Sequence, residues 1–287
     1  MVKLTLGILH PGEMGISLAA SAKNTGHDVY WVSAGRSDKT RTRAQGQGLE
    51  DAGTLEKLCN TCPVIVSVCP PHAAEEQAQA VLACGFKGIY VDANAISPQH
   101  TRHLYKLMSD AGIAFIDGGV IGPPAWKPGT TWLYLSGTDS ERIPPYFASG
   151  PLQTGIIGEG IGEASALKMC YAAFNKGSIS LLCAVLAAAE QLGVREDLLA
   201  HWEQEGSYLA GGRAEKRVES VIRKAWRFTG EMDEIAETFE HTGVTGEFHR
   251  AAKHLYELLV QYRDISETPP IQEILKAMVQ SGADVIR

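Results

Sequence analysis

Gly7-Ile8-Leu9-His10-Pro11-Gly12-Glu13-Met14-Gly15 is the stretch that decides the fold. A short alternating run, residues 4–9, ends in a glycine turn, and residues 14–25 continue with helical character. In a strand–turn–helix of this kind the glycines let the backbone turn tightly and approach a pyrophosphate. The helix start then offers free N–H groups and the positive end of its dipole. Of the three fingerprint glycines, the first falls at His10, while Gly12 and Gly15 match the others. A glycine turn can exist without a ligand, but its place directly after an N-terminal strand points to a dinucleotide. The expected contacts are Leu9, His10, Pro11, Gly12, Glu13, Met14 and Gly15.

Outward from this stretch, β-type runs alternate with helices. Residues 28–32, 63–68, 88–91 and 113–116 read as strands; residues 54–60, 72–83 and 97–111 read as helices. This alternation implies βαβ units, hence a parallel sheet with helices on both faces. Residues 131–136 and 155–157 extend it. After Gly162 the chain is rich in Ala, Leu and Glu and almost wholly helical. The predicted class is α/β: a Rossmann-type doubly wound sheet over residues 1–162, then an all-α domain over 163–287 for substrate binding and dimerisation. Residues 163–192 read as one helix of roughly 45 Å at ~1.5 Å per residue. Gly193, Gly206, Gly211, Gly212, Gly230, Gly243 and Gly282 read as breaks in the helical half.

The chain has 287 residues, 45% hydrophobic and 21% charged, with a formal charge of −7. This is room for about two domains, and the acidic balance disfavours nucleic acid or an anionic membrane as partner. No run is expected to span a bilayer; the longest apolar stretch of the C-terminal half, residues 179–189, is interrupted by Ser180. With no signal-peptide pattern, a cytoplasmic location is expected. The six cysteines are too sparse for a disulfide scaffold. Cys59 and Cys62 have the spacing of a metal or redox pair, but no second pair follows, so free thiols and no metal are expected.

The choice of dinucleotide is read at the end of the second strand, where an acid suits NAD and a cation suits the 2′-phosphate of NADP. Here the segment is Ser33-Ala34-Gly35-Arg36-Ser37, with Lys39, Arg41 and Arg43 close behind. Asp38 comes later and among cations. A solvated basic helix start would look similar. The reading favours NADP(H), with Ser33, Arg36 and Ser37 as contacts.

These motifs together resemble the β-hydroxyacid dehydrogenases, relatives of 6-phosphogluconate dehydrogenase. Gly12-Glu13-Met14-Gly15 is similar to the family's glycine-rich opening, and Val68-Cys69-Pro70-Pro71 to its proline turn near the nicotinamide. Asp92-Ala93-Asn94-Ala95-Ile96-Ser97-Pro98 resembles its Asp-x-Ser-Thr-x-Ser-Pro segment, departing at Asn94 and Ala95. Residues 117–124, Asp-Gly-Gly-Val-Ile-Gly-Pro-Pro, resemble its substrate loop, with Pro123 replacing a glycine after Gly122. Gly160-Ile161-Gly162 and Lys168 resemble the opening of its catalytic helix. The usual asparagine one turn after that lysine is replaced by Ala172; Asn175 lies on a later turn. The later chain resembles a less-characterised subgroup through residues 166–171 and 230–235.

The resemblance implies an NAD(P)-dependent hydroxy-acid oxidoreductase with Cys69, Pro70, Pro71 and Asn94 at the cofactor. Asn94, Gly122, Pro123, Lys168 and Asn175 would serve the substrate. Hydride transfer at a hydroxyl carbon needs a base for its proton, or an acid in reverse. Desolvation in an apolar cleft brings a lysine into range. Read alone, Lys168 fits a lysine snorkelling from a helix edge; with Gly-x-Gly ahead of it, the resemblance makes it the acid/base. An imine reductase shares this architecture but generally departs at the lysine. A non-catalytic dinucleotide sensor remains open through the departures at His10, Ala95, Pro123 and Ala172. Glu231, Glu234, His241 and His249 could offer substrate contacts or a metal site, though Glu231 and Glu234 read first as acids at a helix start after Gly230. The long helix and the alanine-rich residues 184–189 predict a homodimer.

Overall fold

The computed structural model describes residues 2–285. The chain forms two compact units, residues 1–169 and 170–287. The division falls inside the long helix, beyond the start of the helical half read from the sequence.

In the first unit eight strands form one sheet: β1(Thr5–Ile8), β2(Asp28–Trp31), β3(Glu50–Asp51), β4(Val64–Ser67), β5(Ile89–Asp92), β6(Ala114–Ile121), β7(Trp132–Ser136) and β8(Gln153–Gly158). Their order is β3-β2-β1-β4-β5-β6-β7-β8. All neighbours are parallel except β6 and β7, which pair antiparallel. The sequence reading of one parallel sheet is corrected there, because the connection after β6 is too short for a crossover helix. Between strands lie α1(Glu13–Asn24), α2(Asp38–Gly46), α3(Leu55–Thr61), α4(Ala74–Ala83) and α5(Pro98–Asp110). The basic segment after β2 is thus a helix, capped by the Ser37 side chain, and a 3-10 turn at Pro71–Ala73 precedes α4.

The central strands are apolar throughout because both faces are covered. Val64, Val66, Ile89, Val91 and Ile116 join one core; Ile65, Tyr90 and Phe115 join the other. Strand β6 runs further than expected, so residues 117–121 are strand and not loop. The glycines that signalled a loop serve a close approach instead: a Cβ on Gly119 would stand 2.6 Å from the Ala164 carbonyl oxygen.

The long helix, α6(Glu163–Gln191), has nearly the predicted bounds. It is also long and apolar enough to cross a membrane by length and composition, which corrects the expectation that no segment would be. Half of that apolar window is buried inside the protein, as in a core helix.

The second unit continues with α7(Arg195–Gln204), α8(Arg213–Ile222), α9(Ala225–His241), α10(Glu247–Leu258) and α11(Ile271–Val285). Gly230 and Gly282 lie inside helices, contrary to the sequence reading. At Gly230 the burial of Ala225, Met232, Ile235 and Ala236 on one face of α9 outweighs the roughly 1 kcal/mol that a mid-helix glycine costs. Glu231 is therefore not at a helix start; it forms a mostly buried ion pair with Lys176.

Candidate active site

Strand β1 brings Leu9 to the centre of the sheet, where its N–H donates to the Val66 carbonyl (3.1 Å). The chain then turns through His10 and Pro11, and Arg43 Nη1 braces the turn on the Pro11 carbonyl (3.3 Å). Gly12 caps α1 with extended backbone and makes no side-chain cap hydrogen bond; the first-turn N–H groups of a helix have no partner within it. A Cβ on Gly15 would lie 2.0 Å from the His10 carbonyl oxygen, so the helix can close on the turn only with glycine there. A Cβ on Gly12 would meet nothing within 4 Å, which leaves open space over the helix start. Glu13 is exposed and Met14 half-buried beside it.

Beyond β2, Ser33 is buried and hydrogen-bonds Asp51. Burial pushes the Asp51 carboxyl up, but the bonds from Ser33 and Gly53 hold it below its ordinary value. Arg36 is half-buried, with Nε inaccessible and without a hydrogen-bond partner; His10 Nδ1 is in the same condition. Burial, and then the charge of Arg36, push the His10 imidazole down to about 4. At neutral pH His10 is neutral, so Arg36 is the cation at this place. Burial lowers the guanidinium from its ordinary value, and an arginine still keeps its charge. Ser37 is exposed, its hydroxyl accepting from Thr40 N (3.4 Å).

Burial raises the half-buried Cys69 thiol to about 12, so it is neutral. Its backbone N–H donates to Asn94 Oδ1 (2.6 Å), and Pro70 and Pro71 complete the turn. Asn94 is 2% exposed, and its Nδ2 donates to Asp92 Oδ2 (2.8 Å) and Ser67 Oγ (3.3 Å). The amide is thus spent inside the protein, stitching the ends of β4 and β5 together. Asp92 beneath it is fully buried, and burial raises its carboxyl to about 7.

At the end of β6, Lys168 Nζ donates to the Val120 carbonyl (2.7 Å). The following loop passes Gly122 and Pro123. Thr131 Oγ1 donates to the Pro123 carbonyl (2.6 Å), and Ala125 N donates to Ser17 Oγ on α1 (2.9 Å). Strands β1, β4, β5 and β6 run parallel. The glycine turn, Cys69, Asn94 and Lys168 consequently share the carboxyl edge of the sheet. A cleft of about 440 Å³ lies between α1, α2 and this loop, lined by Ile16, Arg43, Pro124 and Trp126 among others. Asn175 belongs to the second unit, where its Nδ2 donates to the Tyr171 carbonyl (2.9 Å).

Sequence reasoning missed the role of the buried polar residues around Asp117, which it had named only as the start of a substrate loop. Their signal was a carboxylate inside an otherwise apolar strand. Cys59 and Cys62 are buried free thiols, and among the described residues no group of His, Cys, Asp and Glu could hold a metal.

Residues 5–144 match the NAD binding domain of 6-phosphogluconate dehydrogenase, and residues 189–259 match a domain of unknown function, DUF1932. A relative from Methanothermus fervidus, called an uncharacterized 28.5 kDa protein in a 7S RNA 5′ region, is 27% identical over 202 residues, 70% of this chain and 77% of that one. A solved structure of a conserved protein of unknown function, described as similar to 3-hydroxyacid dehydrogenases, is 26% identical with a TM-score of 0.63, over 99% of this chain and 98% of that one. Mycobacterium tuberculosis 3-hydroxyisobutyrate dehydrogenase, solved with L-serine, is 16% identical with a TM-score of 0.70, over 96% and 99%. A reductive aminase from Aspergillus terreus, solved with NADPH, cyclohexanone and allyl amine, is 18% identical with a TM-score of 0.56, over 96% and 99%. The last two likenesses are of fold.

Proposed function

We propose, from the match of residues 5–144 to the NAD binding domain of 6-phosphogluconate dehydrogenase, an NADP(H)-dependent oxidoreductase acting on a hydroxy acid or related hydroxyl/carbonyl substrate. The observation that carries this reading is Lys168 Nζ on the Val120 carbonyl, at the same sheet edge as the glycine turn. Ligands of doubly wound sheets bind along that edge, where strand order reverses beside β1.

The turn from Leu9 to Gly15 would hold the pyrophosphate at the first turn of α1, with Ser33, Arg36 and Ser37 toward the 2′-phosphate. Cys69, Pro70 and Pro71 would flank the nicotinamide, and Asn94 would act by fixing that turn. When bound, the nicotinamide supplies or accepts the hydride. Lys168 takes the substrate hydroxyl proton in oxidation and returns it in reduction, its Nζ exchanging the Val120 carbonyl for the substrate oxygen. Gly122 and Pro123 would border the substrate.

A second copy is proposed to cover α6. Leu167, Tyr171, Phe174, Leu181 and Val185 are all exposed on it, Phe174 at 77%. Their spacing of four, three, seven and four residues is that of a coiled-coil seam. The alanine stretch expected to pack between subunits faces elsewhere in part, since Ala187 and Ala189 are buried within the chain.

The test is turnover of NADPH against carbonyl, imine and hydroxy-acid panels, with Lys168→Ala beside the wild type. The variant should lose about 10²–10⁴-fold in kcat, the usual contribution of a positioned acid/base, and keep its NADPH affinity. Lys168→Arg should be nearly as damaging, because a guanidinium does not release a proton near neutrality. Wild-type turnover in the arginine variant would make Lys168 an anion anchor only. Turnover confined to imines would move the reading to an imine reductase, and none on any panel to a dinucleotide sensor.

A further inference from the structure

A carboxylate inside an apolar sheet is costly unless its oxygens are met by donors. Asp117 is such a group: buried in the middle of β6, it pairs directly across from Ser136 of β7. Its Oδ2 accepts from Ser136 Oγ (3.0 Å), Gly162 N (3.0 Å) and Ser165 N (3.1 Å). Its Oδ1 accepts from Ser165 Oγ (2.6 Å). The two backbone donors belong to the opening of α6, where N–H groups have no partner within the helix. A third, Ala164 N, donates to Ser136 Oγ (3.1 Å). Ser165 Oγ also lies 2.8 Å from Thr101 Oγ1 of α5.

These contacts do more than end a helix well. They tie three backbone groups of its first turn to two adjacent strands, which fixes both the height and the rotation of that turn. Two residues along β6, Gly119 lets the helix lie against the strand; a Cβ there would also come within 3.2 Å of Lys168 Cβ. Lys168 follows Ala164 by four residues and so stands on the same helix face. Its Nζ reaches the Val120 carbonyl of the same strand. A slip of one residue would turn that face by about 100°, from 3.6 residues per turn. A 29-residue helix does not need one cap in order to exist. The position of its first turn, however, depends on these pegs.

We propose that Asp117 is a positioning residue, a strand-borne cap that sets the first turn of α6 and thereby places Lys168; the inference rests on reading Lys168 as the acid/base. The carboxylate touches neither reactant. Its charge also suits the positive end of the helix.

The test uses the whole protein without added nucleotide, followed by hydrogen exchange of the amides of residues 162–168 and by the acylation rate of Lys168 in an amine-reactive reagent. Asp117→Ala should speed exchange over 162–168 by about tenfold, the factor expected for losing a good cap, while residues 180–190 keep their protection. Acylation of Lys168 should change with it. In turnover, kcat should fall with KM and NADPH affinity held. Asp117→Asn, which keeps an oxygen under three of the donors, should restore most of the protection and the kcat. If Asp117→Ala does not fold, Ser136→Ala withdraws the pegs of Ala164 and Asp117 Oδ2 and should shift both readouts in the same direction, less far. Unchanged exchange and acylation in whichever of these two variants folds would overturn the proposal, as would losses that only follow the unfolded fraction. Failure of the Lys168 reading is separate: full turnover in Lys168→Ala would end it and leave the exchange result standing.

Discussion

On the proposed preference for NADPH, replacing Arg36 by alanine should leave NADPH and NADH binding about equally. The size of the effect follows from the state of the guanidinium in the folded chain. Arg36 is half-buried, its Nε is inaccessible and without a partner, and burial lowers it from its ordinary value. Part of its hydration has therefore been given up before any phosphate arrives. A hydrogen bond to a charged group contributes about 1.5–3 kcal/mol net, and a guanidinium meets phosphate with a two-pronged fork. Taking a single such contribution, Arg36→Ala should weaken NADPH binding by about 10- to 150-fold. NADH, with no 2′-phosphate, should change by less than about threefold, within a few tenths of a kcal/mol.

The assay is titration of the intrinsic tryptophan fluorescence with each cofactor, repeated at two salt concentrations. The difference should persist at higher salt, since partly buried charges are screened weakly. Arg36→Lys should fall between, keeping charge and losing the fork. The variant's melting temperature should hold or rise, because an unpaired buried donor has been removed. Equal weakening of NADH and NADPH would refute the reasoning, as would an unchanged NADPH affinity; either would assign the 2′-phosphate to other groups, Arg41 and Arg43 first.

Two further outcomes follow from buried groups and exposed ones. Burial raises Asp92 to about 7 in the folded chain, above its unfolded value near 3.9, so folding takes up a proton between those values. This contribution to stability is full below about pH 4 and declines as pH rises toward 7; Asp92→Asn should flatten that part of a denaturant-midpoint profile, and an unaltered slope would count against it. Phe174→Glu should turn the proposed dimer into a monomer in sedimentation at micromolar concentration, because it puts a charge in the exposed seam of α6; a wild type that sediments as a monomer would end the dimer reading.

The fold was legible because its signals are local. A glycine turn between an alternating strand and a helix, then further strands at βαβ spacing, leaves few arrangements open. The antiparallel entry of β7 and the length of β6 were not legible, because both depend on what approaches the backbone. Gly118 and Gly119 look the same in sequence whether they begin a loop or admit a helix. Of the candidate site, His10, Gly12, Gly15 and Arg36 were read from their places in the pattern and Cys69 from the resemblance. Asn94 was named from the resemblance as a ligand contact, and only the fold shows the three bonds its amide makes inside the protein. The Asp117, Ser136 and Ser165 constellation joins residues far apart in the chain, and no spacing rule connects them.

The departures from the family pattern gain a different meaning once the backbone is known. His10 stands where a fingerprint glycine is usual, yet among the described residues no residue other than glycine takes a positive φ. The turn therefore asks nothing of position 10 that a side chain forbids. The close contact there is made by the His10 carbonyl against Gly15, and Gly15 is kept. Pro123 replaces one of two glycines, while the strained one, Gly122 at φ +124, remains, and the Pro123 carbonyl is held by Thr131. The substitutions fall where the backbone tolerates them, and the glycines that geometry requires are retained. Position 10 also leaves a single charge at this place, since burial and the charge of Arg36 push the His10 imidazole down to about 4 and keep it neutral.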